Sequence, residues 1–103
     1  MRVIAVSTLK AFWEHPSHRD SEAALKSWLA EMHQGSWKTP AETKAQYANA
    51  SVLKGRRVVF NIKGNDYRLI VSVAYQYQAV YVKFIGTHQE YDAIDAETVE
   101  MEI

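Results

Sequence analysis

The stretch "FIGTHQEYD", residues 84 to 92, sets His88 and Tyr91 directly after a run of apolar strand-forming residues. Ahead of it come Arg68, Lys63 and Lys83, all suited to holding phosphate. Metal-free cleavage of RNA needs a base to activate the 2′-hydroxyl, an acid for the departing 5′-oxygen, and cations for the charge that builds on the phosphate. Histidine, which titrates near neutrality, suits the acid or base role; arginine and lysine suit the phosphate. A tyrosine can stack on a splayed base or donate its hydroxyl. The plain alternative for His88 is a strand-end histidine satisfied by backbone. His15, His18 and His33 lie on or between expected helices without matching partners and read as surface residues.

Other chemistries lack their residues. The chain has no cysteine, which removes disulfides, thiolate zinc sites and thiol catalysis and fits a reducing cytoplasm. There is no Gly-rich phosphate loop, no G-x-S-x-G elbow and no His-x-x-x-His pair. "HPSH" with Asp20 has metal-binding residue types, but Pro16 and the loop setting argue against a site, so neither metal nor cofactor is expected. No apolar run approaches the roughly 18 to 20 residues of a membrane span, and the first residues turn polar too early for a signal peptide. A soluble, cytoplasmic protein follows, with its 103 residues forming one domain.

Charge is uneven along a chain whose 12 basic and 12 acidic residues cancel. Residues 54–88 carry Lys54, Arg56, Arg57, Lys63, Arg68 and Lys83 against Asp66 alone. From 89 onward only Glu90, Asp92, Asp95, Glu97, Glu100 and Glu102 are charged. A cationic segment is therefore masked in the total and followed by an acidic tail, which forms a separate C-terminal stretch from about 93.

The elements that must position these side chains are legible from periodicity. "MRVIAV" reads as a strand, and Ser7 as the cap of a helix through Glu14 or His15, broken by Pro16. A second helix from Asp20 or Ser21 carries Leu25, Trp28, Leu29 and Met32 as a buried stripe and stops at Gly35. Thr39 caps a short helix to about Tyr47, with Pro40 at its first position and Glu42 closing a capping box. Residues 48–56 read as loop. The period then changes to two, predicting strands over 57–63, 67–76 and 79–87. Val58, Phe60 and Ile62, then Leu69, Val71 and Val73, then Val80, Val82 and Phe84 form their apolar faces. The expected fold is α+β: an N-terminal strand and two to three helices on one face of an antiparallel sheet that ends in a three-stranded meander.

Strand parity decides which polar residues meet on the other face. If Gly64 and Asn65 make the first turn, Asn61 lies across from Arg68; if Asn65 and Asp66 do, Lys63 does. A four-residue second loop pairs Tyr75 with Val80, Ser72 with Lys83 and Arg68 with Thr87. In a straight strand His88 would point into the core with Val82 and Phe84. A bulge or bend at Gly86 is the expected remedy, re-aiming His88 toward Arg68, with Tyr91 folding back over the site if 88–94 turn helically.

"VVFNIKGNDYRLIVSVAY" followed by "YVKFIGTHQEYDAID" resembles the HigB-type toxins of the RelE superfamily, through the "N-I-x-G-N-x-Y-R-L" hairpin and the "G-T-H-x-E-Y-D" ending. The order strand, helices, meander agrees with a RelE-like domain across nearly the whole chain. The resemblance implies a type II toxin that cleaves mRNA in the ribosomal A site, against 16S rRNA, and is neutralised by a HigA-like helix-turn-helix antitoxin. It implies that Arg68 binds phosphate, that His88 is the candidate general acid, and that Tyr91 assists by stacking or proton transfer. Asn61, Lys63 and Lys83 would support phosphate or RNA binding. Unlike many such toxins, the chain is not basic overall. Two other classes compete: a non-catalytic RNA- or protein-binding module using the same cationic face, and a structural partner that only docks an antitoxin segment on its sheet.

Overall fold

The computed structural model describes residues 1–101 of the chain, so Glu102 of the acidic tail lies outside the described residues. Strand β1 (Arg2–Ile4) leads into helix α1 (Val6–Glu14), a 3-10 helix (Pro16–Ser21), and helices α2 (Glu22–Gln34) and α3 (Pro40–Gln46). Strands β2 (Ser51–Val52), β3 (Arg57–Ile62), β4 (Tyr67–Ala74) and β5 (Ala79–Thr87) follow, and helix α4 (His88–Asp92) ends the set. The five strands form one sheet in the order β1-β5-β4-β3-β2. The meander is antiparallel as expected, while β1 runs parallel to β5, so the sheet as a whole is mixed. Residues 48–56 are not all loop, because Ser51 and Val52 pair with Val59 and Val58 as an edge strand.

Local signals place the helices with small shifts. Helix α1 begins one residue before Ser7, with extended Ala5 as its N-cap and no capping side chain, because pairing with β5 releases the chain at Ile4. Ser21 precedes α2 but cannot cap it: the 3-10 helix runs straight into α2, and the Ser21 hydroxyl donates to the His18 carbonyl at 2.6 Å instead. Thr39 caps α3 by accepting from the Glu42 N–H, with Pro40 at the first helical position as its missing N–H and preset φ favour. Gly35 ends α2 in an extended conformation.

Leu9, Trp13, Leu25, Trp28 and Met32 cover one face of the sheet, against Val58, Phe60, Ile62, Leu69, Val71, Val73, Val80 and Val82. Each such aliphatic side chain contributes about 1.5–3 kcal/mol by leaving water. The third strand departs from the expected pattern. Ile70 pairs with Phe84 but Val71 pairs with Val82, so Lys83 is an extra residue in β5. This bulge reverses the parity beyond it. Ile85 takes the core position, and Phe84, expected there, joins Val59 and Ile70 on the opposite face. The pairs Tyr75–Val80, Ser72–Lys83 and Arg68–Thr87 are replaced by Val73–Val80, Ser72–Tyr81 and Arg68–Gly86.

That opposite face is not open to water along its length. Tyr91, Ile94, Ala96 and Val99 fold back onto Val59, Ile70 and Phe84, so the acidic tail is a second layer of the fold. Arg57, only 7 % exposed, secures it by donating to the carbonyls of Ala96 (3.2 Å) and Val99 (2.7 Å) and to Glu100 (3.0 Å). A guanidinium with five donors can be buried here because carbonyl and carboxylate acceptors meet it.

Candidate active site

His88 is brought to the surface by the bulge at Lys83, and Gly86 serves a different purpose from the bend expected of it. A Cβ on Gly86 would lie 2.6 Å from Phe84 Cζ and 3.1 Å from Glu90 Oε1, so the glycine permits the close fit of Phe84 and of the turn that follows. Thr87 then starts α4 with a capping box: its hydroxyl accepts from the Glu90 N–H (3.1 Å) while its own N–H donates to Glu90 Oε1 (2.8 Å). The His88 N–H donates to the Asp66 carbonyl at 3.0 Å, tying this turn to the β3–β4 loop. The imidazole, half exposed, has Nε2 at 3.5 Å from Asp92 Oδ2, a carboxylate that pairs with the protonated ring.

Asn61 lies opposite Arg68, the first of the two alternatives, because Lys63 to Asp66 form a four-residue loop with Lys63 and Gly64 left-handed. The Arg68 guanidinium carbon sits 5.8 Å from the centroid of Tyr91. Its nitrogens donate to the carbonyls of Asn65 and Tyr67, each at 3.2 Å, and to Asn65 Oδ1 at 3.4 Å. Among the described residues no carboxylate pairs with it. Asn65 also lines a hollow of about 570 Å³ with Asp20, Asp66, Tyr67, Thr87 and His88. Arg68, His88, Tyr91 and Asn61 therefore gather at one end of the sheet.

The two lysines do not join them as free cations. Lys83 is drawn to Glu100 (3.1 Å), which also holds Arg57, and the five residues of strand to His88 span roughly 16 Å. Lys63, turned out of the strand by its left-handed conformation, pairs with Asp20 (2.7 Å) and Asp66 (3.4 Å). His18, expected at the surface, is half-buried and stacked on Phe12 with ring centroids 4.1 Å apart. His15 and His33 are exposed as expected.

Three neighbours of the site were not legible beforehand. Asn65 bridges Arg68 and the hollow beside His88. Asp20, read as a helix start and as an unfavoured metal-binding residue, accepts from both Lys63 and Tyr67. Those hydrogen bonds, Lys63 first, hold its carboxyl below the usual carboxylate range, which makes it unsuited to take up a proton near neutrality. Burial, and then the Asp20 partner, push the Tyr67 hydroxyl up to about 12. Tyr67 was hidden because it sits in the core, yet its hydroxyl donates to Asp20 beside the hollow. Among the described residues no three histidine, aspartate or glutamate side chains are grouped to hold a metal ion, and no helix is long and apolar enough to cross a membrane.

Comparison with known proteins identifies the family. Residues 21–94 match the HigB toxin family, described as the RelE-like toxic component of a toxin–antitoxin system. The chain is 31% identical over 99 residues to the mRNA interferase toxin HigB of Escherichia coli (strain K12), covering 93% of this chain and 92% of that protein. The mRNA interferase HigB of Shigella flexneri matches to the same extent. The match takes in the helices, the meander and the His88 turn, and the chain belongs to the HigB family of RelE-like toxins.

Proposed function

We propose that this toxin is an mRNA endoribonuclease that acts in the cytoplasm on message held in the ribosomal A site, against 16S rRNA. A HigA-like antitoxin with a helix-turn-helix domain restrains it. Arg68 holds the scissile phosphate and stabilises the charge that develops on it. The 2′-oxygen, its proton passing to solvent water, attacks phosphorus, the bond to the 5′-oxygen breaks, and His88 delivers the proton that this leaving oxygen requires. Tyr91 positions Arg68 and offers a face to a base. Asn61 and, once released from their carboxylates, Lys63 and Lys83 support the RNA backbone. The observation that carries the reading is the convergence of Arg68, which pairs with no carboxylate among the described residues, on the Tyr91 ring at the end of the sheet where the capping box presents His88.

The test is to map 5′ ends on mRNA in a translating extract. New ends should appear with the wild-type chain and vanish with His88→Ala and with Arg68→Ala. Full cleavage by either variant overturns the site. Salt-sensitive RNA binding without new ends would instead identify a non-catalytic module.

A further inference from the structure

A second cleft, of about 530 Å³, opens on the other side of Asn65 from His88, between the segment 47–50 and the β3–β4 turn. Tyr47 and Trp28 supply aromatic wall; Asn49, Asn61 and Asn65 supply side-chain amides, and no charged residue lines it. The amides of Asn49 and Asn61 make no side-chain hydrogen bond among the described residues, and Asn65 uses its oxygen on Arg68. Trp28 is 3 % exposed, and its buried indole N–H has no acceptor among the described residues. Such an unmet donor costs about 1–3 kcal/mol and is rare in folded proteins.

The wall is held in place. Lys44 Nζ donates to the carbonyls of both Ala48 and Ala50 at 2.6 Å, bracketing Asn49. The Ala50 N–H donates to the Tyr47 carbonyl at 3.0 Å, and the Tyr47 hydroxyl to Glu31 at 2.8 Å. A rigid, uncharged cleft with aromatic surface and amides that both donate and accept is poorly suited to a phosphate. It suits a flat, neutral ring with donors and acceptors along its edge.

We infer that this cleft is a nucleobase subsite, taking a base of the same RNA strand whose phosphate lies at Arg68 and reading its edge through Asn49 and Asn65. The inference rests on the endoribonuclease reading. Asn65, shared by cleft and site, sets the two within one strand's reach.

The experiment maps cleavage ends in a translating extract for wild type, Asn49→Ala and Asn49→Asp, tabulating base frequencies at each position around the cut. Asn49 is exposed, so folding is not in question. Wild type should favour particular bases at one position near the cut. Asn49→Ala should flatten that preference about fivefold or more, and Asn49→Asp, which exchanges a donor for an acceptor, should shift it to another base. Unchanged base frequencies in both variants, with cleavage still dependent on His88, overturn the subsite and leave the endoribonuclease reading standing. No cleavage by wild type overturns both.

Discussion

The Arg68 guanidinium lies 5.8 Å from the centre of the Tyr91 ring, and Tyr91 is itself packed against Val59, Ile70 and Phe84. An arginine that pairs with no carboxylate among the described residues is thus oriented by an aromatic face whose position depends on the tail layer. The contact is a cation–π interaction, worth about 0.5–2 kcal/mol by burial. Tyr91→Phe should keep cleavage within about tenfold of wild type, because the ring remains. Tyr91→Ala should approach the loss expected of Arg68→Ala. Equal losses in Phe and Ala variants, measured as cleavage rates, would assign the essential part to the hydroxyl.

His88 is half exposed at the start of a short helix, so His88→Ala should leave the unfolding free energy from urea denaturation within about 0.5 kcal/mol of wild type. Its cleavage rate should fall about 10²–10⁴-fold if it delivers the leaving-group proton. A large stability loss would mark the residue as structural.

Gly86→Ala forces a methyl to within 2.6 Å of Phe84 Cζ. Overpacking of this kind costs about 1–3 kcal/mol. Phe84 and the Glu90 capping box would both be displaced, so chemical denaturation should show the loss and cleavage should fall with it.

The Asp20, Lys63 and Tyr67 cluster predicts two pH limbs. The folded Asp20 carboxyl is depressed below its ordinary 3.8, so its contribution is present above that value and lost as pH falls through the folded one. Tyr67 is raised from 10.0 to about 12, so its contribution is complete below 10 and lost as pH rises toward 12. Urea midpoints against pH should lose the acid limb in Asp20→Asn. In Tyr67→Phe, the slope between 10 and 12 should flatten; an unaltered slope would contradict the cluster.

Arg57→Met leaves the carbonyls of Ala96 and Val99 without their donor. A loss of about 1–3 kcal/mol is expected, with faster amide exchange at Tyr91, Ile94 and Val99. Glu100→Gln, on an exposed partner, should cost less than about 1 kcal/mol. Equal effects of the two would mean that the ion pair, rather than the carbonyl contacts, secures the tail.

Residue order alone determined the α2 stripe, the α3 cap and the three meander strands, since each rests on local periodicity or on a turn's chemistry; which residue faces Arg68 across the first hairpin stayed open between Asn61 and Lys63 until the structure chose Asn61. It also marked Arg68, His88 and Tyr91 as a phosphate-handling set. The tertiary structure decided where those side chains point. Phe84 and Ile85 are adjacent and both apolar, so alternation could not tell which faces the helices; the bulge at Lys83 chose Ile85, and with it the outward turn of His88. Tail packing had the same opacity. Glu100 reads as a solvated charge until Arg57 and Lys83, more than a dozen residues away, converge on it. Long-range ion pairs and the burial of a sheet's second face depend on chain segments meeting in space, which no local pattern records.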